Sequence, residues 1–152
     1  MNTIKYNSPF GVITIQAKSE AISRVYLPNE EPDIPENPNE LLEKAKTQFI
    51  EYFEGKRQTF DLPLTFDGCT DFMKSVYLEL LKVPHGKTAS YKYIAERINC
   101  PKGYRAVGLA NNRNPLSIIV PCHRIIGSDC KLVGYGGGID FKIKLLNLEK
   151  NT

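Results

Sequence analysis

The sequence predicts an α+β fold: a small N-terminal antiparallel sheet with a helix, followed by a mainly α C-terminal domain with a winged-helix-like helix-turn-helix. Three observations carry this prediction. Short β-branched stretches separated by turn residues concentrate before Leu27. From Leu42 onward, apolar residues recur mostly at three- and four-residue spacing. Two of the helical stretches, Tyr91 to Ile98 and Tyr104 to Asn111, flank a tight turn holding Gly103.

The elements follow in order. Thr3 to Tyr6, Gly11 to Gln16 and Ala21 to Leu27 read as strands, with turns at Ser8-Pro9-Phe10-Gly11 and Lys18-Ser19-Glu20. Pro28 to Asn39, rich in Pro, Glu and Asn, reads as a loop. A helix starts at Asn39 or Glu40 and runs to about Phe53, burying Leu42, Ala45, Phe49, Tyr52 and Phe53 before Gly55 stops it. Thr59 to Leu62 fits a further short strand. Gly68 to Thr70 marks a boundary, giving a structural domain over 1–69 and a second domain over 70–152. Thr70 is suited to cap a helix over Asp71 to Lys82, with Phe72, Val76 and Leu80 on one face, and Pro84-His85-Gly86-Lys87 breaks it. Ser90 caps Tyr91 to Ile98. Ser117 to Val120 reads as a buried strand that Pro121 must end, because proline has no N–H for a ladder. A last helix, Ile139 to Lys150, turns Phe141, Leu145 and Leu148 inward and carries Glu149 near its end.

Composition narrows the function classes. The chain has 152 residues, 41% hydrophobic and 24% charged, which suits a globular protein and not a disordered one. No apolar run has the length of a membrane span, and no signal pattern opens the sequence, so an intracellular protein without a membrane partner is expected. Four cysteines without a CxxC, and only two histidines, argue against a zinc site and against a disulfide framework. Charge is uneven: Phe72 onward holds 13 Lys and Arg against 5 Asp and Glu, while the first 71 residues hold 7 against 12. A polyanionic partner for the basic half and a merely solvated basic surface both fit that asymmetry.

Chemistry concentrates in Asn114-Pro115-Leu116-Ser117-Ile118-Ile119-Val120-Pro121-Cys122-His123-Arg124. The apolar run delivers a thiol, an imidazole and a guanidinium from a stiff element. Neighbouring positive charge lowers a thiol pKa from about 8.5, so the stretch suits a thiolate in a fixed place. A buried, inert cysteine is the bland alternative. Glu149 is placed to orient His123, and His123 to polarise Cys122, the nucleophile–base–orienter pattern; a solvated terminal carboxylate is the alternative. The second helix of the helix-turn-helix carries Arg105 and Arg113 beside small Ala106, Gly108 and Ala110. Small residues permit close approach either to a ligand surface or to another helix. The glycines around Tyr135 fit a linker, or bare N–H groups facing a ligand.

Together these residues resemble the O6-alkylguanine-DNA alkyltransferase family, also called methylated-DNA–protein-cysteine methyltransferases. Pro121-Cys122-His123-Arg124 is similar to the family's acceptor signature. Asn114-Pro115, Arg105-Ala106-Val107-Gly108, Ser90-Tyr91, the glycines ending at Gly138 and Leu145-Leu146 with Glu149 keep its order and spacing. The likeness covers Phe72 to Glu149; the N-terminal part resembles the family only in outline. It implies that Cys122 accepts the alkyl group, that His123 (through a water) and Glu149 promote the thiolate, and that Asn114 braces the turn. Tyr91 would act at the flipped guanine, and Arg105 would fill the gap in the duplex. DNA contacts would come from Ser90, Arg105, Ala106, Gly108, Ala110, Arg113 and Arg124. Ile125, Tyr135, Gly136 and Gly137 would form the base pocket. Gly136 departs from the Ser found in many members, which keeps a backbone contact and loses a hydroxyl one.

The implied reaction is a single-turnover transfer from O6-alkylguanine, with O4-alkylthymine as a further substrate, to Cys122 of a monomer. It needs no cofactor, no metal and no obligate protein partner. The expected compartment is the prokaryotic cytoplasm, or the nucleus in a eukaryote. Two competing readings are a non-enzymatic lesion sensor of the alkyltransferase-like type, which lacks the acceptor cysteine, and a Cys-His hydrolase of another family.

Overall fold

Three antiparallel strands open the chain, β1 (Asn2–Ser8), β2 (Gly11–Lys18) and β3 (Ala21–Tyr26), in the spatial order β1-β2-β3. In this computed structural model residues 1–127 and 137–152 are described. On β2, Ile13, Ile15 and Ala17 are fully buried on one face, and Thr14 is fully buried on the other, so the middle of the strand is covered on both sides. A register shift at Gln16/Ala17 interrupts the β2–β3 ladder. Helix α1 (Glu40–Phe53) covers the sheet, burying Leu42, Ala45, Phe49, Tyr52 and Phe53. Its first turn is capped by Asn39, whose side chain accepts from the Leu42 N–H at 2.9 Å.

The segment Thr59 to Leu62 is not a strand. Its backbone polarity is met by a side chain: Gln48 on α1 donates to the Asp61 carbonyl at 3.0 Å and accepts from the Asp61 N–H at 2.8 Å. At Pro63 the chain meets the sheet, where Ile22 donates to the Pro63 carbonyl and Thr65 to that of Ile22.

The second half holds α2 (Asp71–Leu80), the two-residue β4 (Ala89–Ser90), α3 (Tyr91–Arg97), α4 (Tyr104–Asn112), the two-residue β5 (Ile125–Ile126) and α5 (Ile139–Lys150). β4 and β5 pair in parallel. Thr70 and Ser90 cap α2 and α3 through their hydroxyls, accepting from Met73 and Tyr93 at 3.1 and 3.0 Å. The α3–α4 turn is tight: a Cβ on Gly103 would lie 2.6 Å from the Cys100 sulfur, so only glycine fits there without a shift.

The two halves share one continuous core, with Ile15, Phe49, Val76, Leu116 and Leu145 all fully buried. They also share backbone hydrogen bonding. Val25 on β3 donates to the Pro115 carbonyl at 2.8 Å and bridges Leu116, so the N-terminal sheet grips the stretch that leads to Cys122. Among the described residues, no helix is long and apolar enough to cross a membrane.

Candidate active site

The expected strand over Ser117 to Val120 is instead a turn. Val120 donates back to the Leu116 carbonyl at 2.9 Å, and Ile118 sits at φ 75°. A β-branched residue in the left-handed region carries strain of about 1–3 kcal/mol, held only when its surroundings over-determine it. Asn114 supplies much of that constraint. Its Oδ1 accepts from Leu116 N–H at 2.9 Å and its Nδ2 donates to the Val120 carbonyl at 2.8 Å, which closes the turn from inside. A side chain that satisfies both ends of a five-residue stretch removes the need for a ladder partner. Apolar content alone cannot distinguish that turn from a strand.

Pro121 then leads into a 3-10 turn over Cys122–Arg124. Cys122 is 2% exposed, and Asn111 at the end of α4 donates its Nδ2 to the Cys122 carbonyl at 3.2 Å. A polar cleft of about 60 Å³ reaches Cys122 between Arg24, Asn111, Arg113, Asn114 and Ser117. The Tyr91 ring lies beneath Gly108, where a Cβ would meet it at 3.6 Å, an ordinary contact. Burial, and secondarily the Cys122 sulfur, raise the Tyr91 phenol above its ordinary value, so it stays a proton donor at neutral pH.

Beside the thiol, α5 presents Glu149 to the turn. His123 Nε2 lies 2.6 Å from Glu149 Oε2, and both side chains are buried. Arg124 clamps the same carboxylate with Nε on Oε1 at 2.8 Å and Nη2 on Oε2 at 3.0 Å. Tyr52, from α1, donates its hydroxyl to Oε2 at 2.6 Å. Burial by itself would raise the Glu149 carboxyl, but the hydrogen bonds from His123 and Arg124 overcome it and hold the group well below the usual carboxylate range. Burial lowers the His123 imidazole below its ordinary value, with the Glu149 hydrogen bond acting the other way. The ring is therefore neutral. An ionised carboxylate only accepts, so Nε2 carries the proton and Nδ1 is the basic nitrogen. Among the described residues, no protein atom bonds that buried Nδ1.

The structure brings together Cys122, His123, Glu149, Tyr91 and Asn114, and moves two expected DNA-facing residues inward. Arg124 is a correction: it is 6% exposed, and besides Glu149 it donates through Nη1 to the Val83 carbonyl at 2.7 Å. A carboxylate held out of water needs a paired cation, and the bidentate guanidinium meets that need. Ala110 is the other correction. It is buried against α2, where the Tyr77 hydroxyl donates to its carbonyl at 2.8 Å. Arg105, Ala106 and Arg113 are exposed on α4, Gly108 is half-buried, and Ser90 is half-buried with its hydroxyl at the α3 cap. Ile125 is buried and its carbonyl accepts from Lys142 Nζ at 2.5 Å. Gly137 is half-buried, while Tyr135 and Gly136 lie outside the described residues.

Three residues near the thiol and its relay were not foreseen. Tyr52 has the helical spacing of a core residue, and its hydroxyl gives no sign of a partner 97 positions away. Asn111 lies among other polar residues at a helix end. Lys142 does leave a signal: it stands three before Leu145 and seven before Glu149, which puts it on the buried face of α5.

Comparison with known proteins bears on this geometry. The family model described as 6-O-methylguanine DNA methyltransferase, DNA binding domain, matches residues 71–151, and the one described as its ribonuclease-like domain matches 1–66. A methylated-DNA–protein-cysteine methyltransferase of Methanosarcina acetivorans is 44% identical over 149 residues, 95% of each chain. The constitutive one of Bacillus subtilis is 41% identical over 154 aligned positions, covering 94% of this chain and 92% of that one. Among solved structures, Mycobacterium tuberculosis OGT in complex with DNA superposes with a TM-score of 0.91 at 40% identity, covering 99% of this chain and 94% of that one. With sequence likeness running nearly end to end in both halves and the same fold throughout, the chain belongs to the 6-O-methylguanine DNA methyltransferase family.

Proposed function

We propose that the protein repairs alkylated DNA by moving the alkyl group from O6-alkylguanine in duplex DNA to its own Cys122. The observation that carries this is the buried relay of Glu149, His123, Arg124 and Tyr52 packed against the turn that holds the cysteine. His123 Nδ1, basic and buried, takes the thiol proton, through a water where one bridges, and Glu149 stabilises the resulting imidazolium. The thiolate attacks the sp3 alkyl carbon in line with the C–O6 bond. A new C–S bond forms as that bond breaks. The electron pair stays on guanine O6, which the Tyr91 hydroxyl stabilises by donation.

The product is a thioether that water does not cleave, so each molecule acts once. A target atom inside stacked DNA must be swung out, at about a few kcal/mol, less for a poorly paired lesion. Arg105, exposed at the start of α4, enters the gap, and Ala106 and Gly108 allow α4 to lie close to the minor groove. Ser90 and Arg113 contact phosphates. In this reading the second domain, 70–152, meets the DNA, while the first, 1–69, supports the acceptor turn and supplies Tyr52 to the relay. Ile125, Gly137 and the residues before it receive the base.

Incubation with duplex DNA carrying one labelled O6-methylguanine tests the reading. Mass spectrometry is expected to show one methyl gained on the Cys122 peptide, one event per molecule, and none in Cys122→Ala. Binding of the lesion without transfer would instead indicate a sensor. Repeated turnover of an ester or amide, with no methyl gained, would indicate a hydrolase.

A further inference from the structure

Lys142 sits on α5 with no exposed surface. Lysine is among the residues least often fully buried, because its ammonium loses hydration at large cost. A hydrocarbon side chain would fill such a core position without that cost. Here the ammonium donates to the Ile125 carbonyl at 2.5 Å, three residues past the thiol. In the reading above Ile125 helps to receive the base, and its backbone carbonyl is an acceptor suited to the exocyclic amine of guanine. A carbonyl oxygen has two lone pairs, so engaging one with Lys142 leaves the other available and fixes its direction.

We propose that Lys142 is a positioning residue for the transfer: its buried ammonium aims the Ile125 carbonyl at the base and stands as a counter-charge to the Cys122 thiolate. This rests on the reading of Cys122 as alkyl acceptor. Electrostatics support it from the lysine's side. Burial lowers the Lys142 ammonium below its ordinary value, and the Cys122 sulfur acts to keep it charged. Coulomb coupling is mutual, so the ammonium favours the thiolate by the same amount. Other groups also surround the sulfur. Tyr77 on α2 and Tyr91 on α3 are coupled to it electrostatically, while Arg24, Glu30 and Arg113 stand at the cleft. The phenols are held protonated, and Glu149 is engaged by Tyr52, His123 and Arg124. Among the described residues, Lys142 is a buried cation coupled to the Cys122 sulfur, and it acts on His123 as well.

Wild type and Lys142→Met are compared in two assays. The pH profile of iodoacetamide modification, read on the Cys122 peptide without DNA, reports the thiolate. Single-turnover transfer from O6-methylguanine duplex reports the reaction. The variant's profile is expected to move up by about one unit, and its transfer at neutral pH to slow about tenfold, the gap narrowing as pH rises. An unmoved profile would overturn the proposal, even with slower transfer, since a purely structural lysine would leave it in place.

Should Lys142→Met fail to fold, wild type with 15N-labelled lysine serves. The buried ammonium resonance is expected to shift on methylation of Cys122 by methyl iodide, and no shift would overturn the proposal. Failure of wild type to take a methyl from DNA would count against the acceptor reading alone, because the iodoacetamide and ammonium measurements need no DNA.

Discussion

Glu149 is the residue on which most of the site converges. Its two oxygens receive four donors, from Tyr52, His123 and both Arg124 Nε and Nη2. Hydrogen bonds to a charged group contribute about 1.5–3 kcal/mol each, whereas removing one partner of a buried ion pair costs about 3–5 kcal/mol. Glu149→Gln is therefore expected to destabilise more than Tyr52→Phe, the first by about 3–5 kcal/mol and the second by about 1.5–3 kcal/mol in urea unfolding. Both should slow methyl transfer, Glu149→Gln far more, in a single-turnover assay. Acid should act through the same residues. His123 has its folded pKa lowered, so its contribution is complete above about 6.5 and is lost as pH falls toward the folded value. Glu149 has the same sign, with loss starting near about 4.3 and continuing to much lower pH. The melting temperature is expected to fall in two stages between pH 7 and 3, and His123→Gln to lack the first when followed by circular dichroism.

The turn that leads to Cys122 and α4 are joined by short polar links. Asn114 ties Leu116 to Val120, and Asn111 ties the end of α4 to the Cys122 carbonyl. An added methyl on a sulfur that is 2% exposed has little room, and crowding such a core typically costs about 1–3 kcal/mol. The spent protein is expected to melt several degrees below the unreacted one in calorimetry, and Asn114→Ala to narrow the difference. On α4 itself, Arg105 is exposed at the second helical position. Arg105→Ala should slow repair in duplex DNA at least tenfold while leaving transfer from free O6-methylguanine base near wild type. Equal losses in the two substrates would overturn the proposed role of Arg105 in extruding the base.

Over the whole molecule, the acidic N-terminal half and the basic C-terminal half divide the work. The N-terminal sheet holds the stretch before Cys122 through Val25, and α1 sends Tyr52 to Glu149. The basic half leaves Arg105 and Arg113 exposed on one helix. Phosphate contacts release counterions, so duplex affinity is expected to fall linearly in a plot of log affinity against log salt, losing about tenfold or more between 50 and 200 mM. Arg113→Ala should flatten that slope in fluorescence anisotropy titrations.

Local patterns were enough to read the three strands, α1 to α5 with the Asn39, Thr70 and Ser90 caps, and the adjacency of Cys122, His123 and Arg124. Each depends on neighbours within a few positions, where periodicity and capping chemistry act. Folding settled the rest. It made Ser117 to Val120 a strained turn, because Asn114 satisfies that backbone where a strand would have needed a partner. It took Thr59 to Leu62 out of any sheet through Gln48. It drew Arg124 inward to neutralise a carboxylate, and set Tyr52 and Lys142 beside groups far along the chain. A polar atom's partner is chosen by what burial places within about 3 Å of it, and burial is a property of the packed chain.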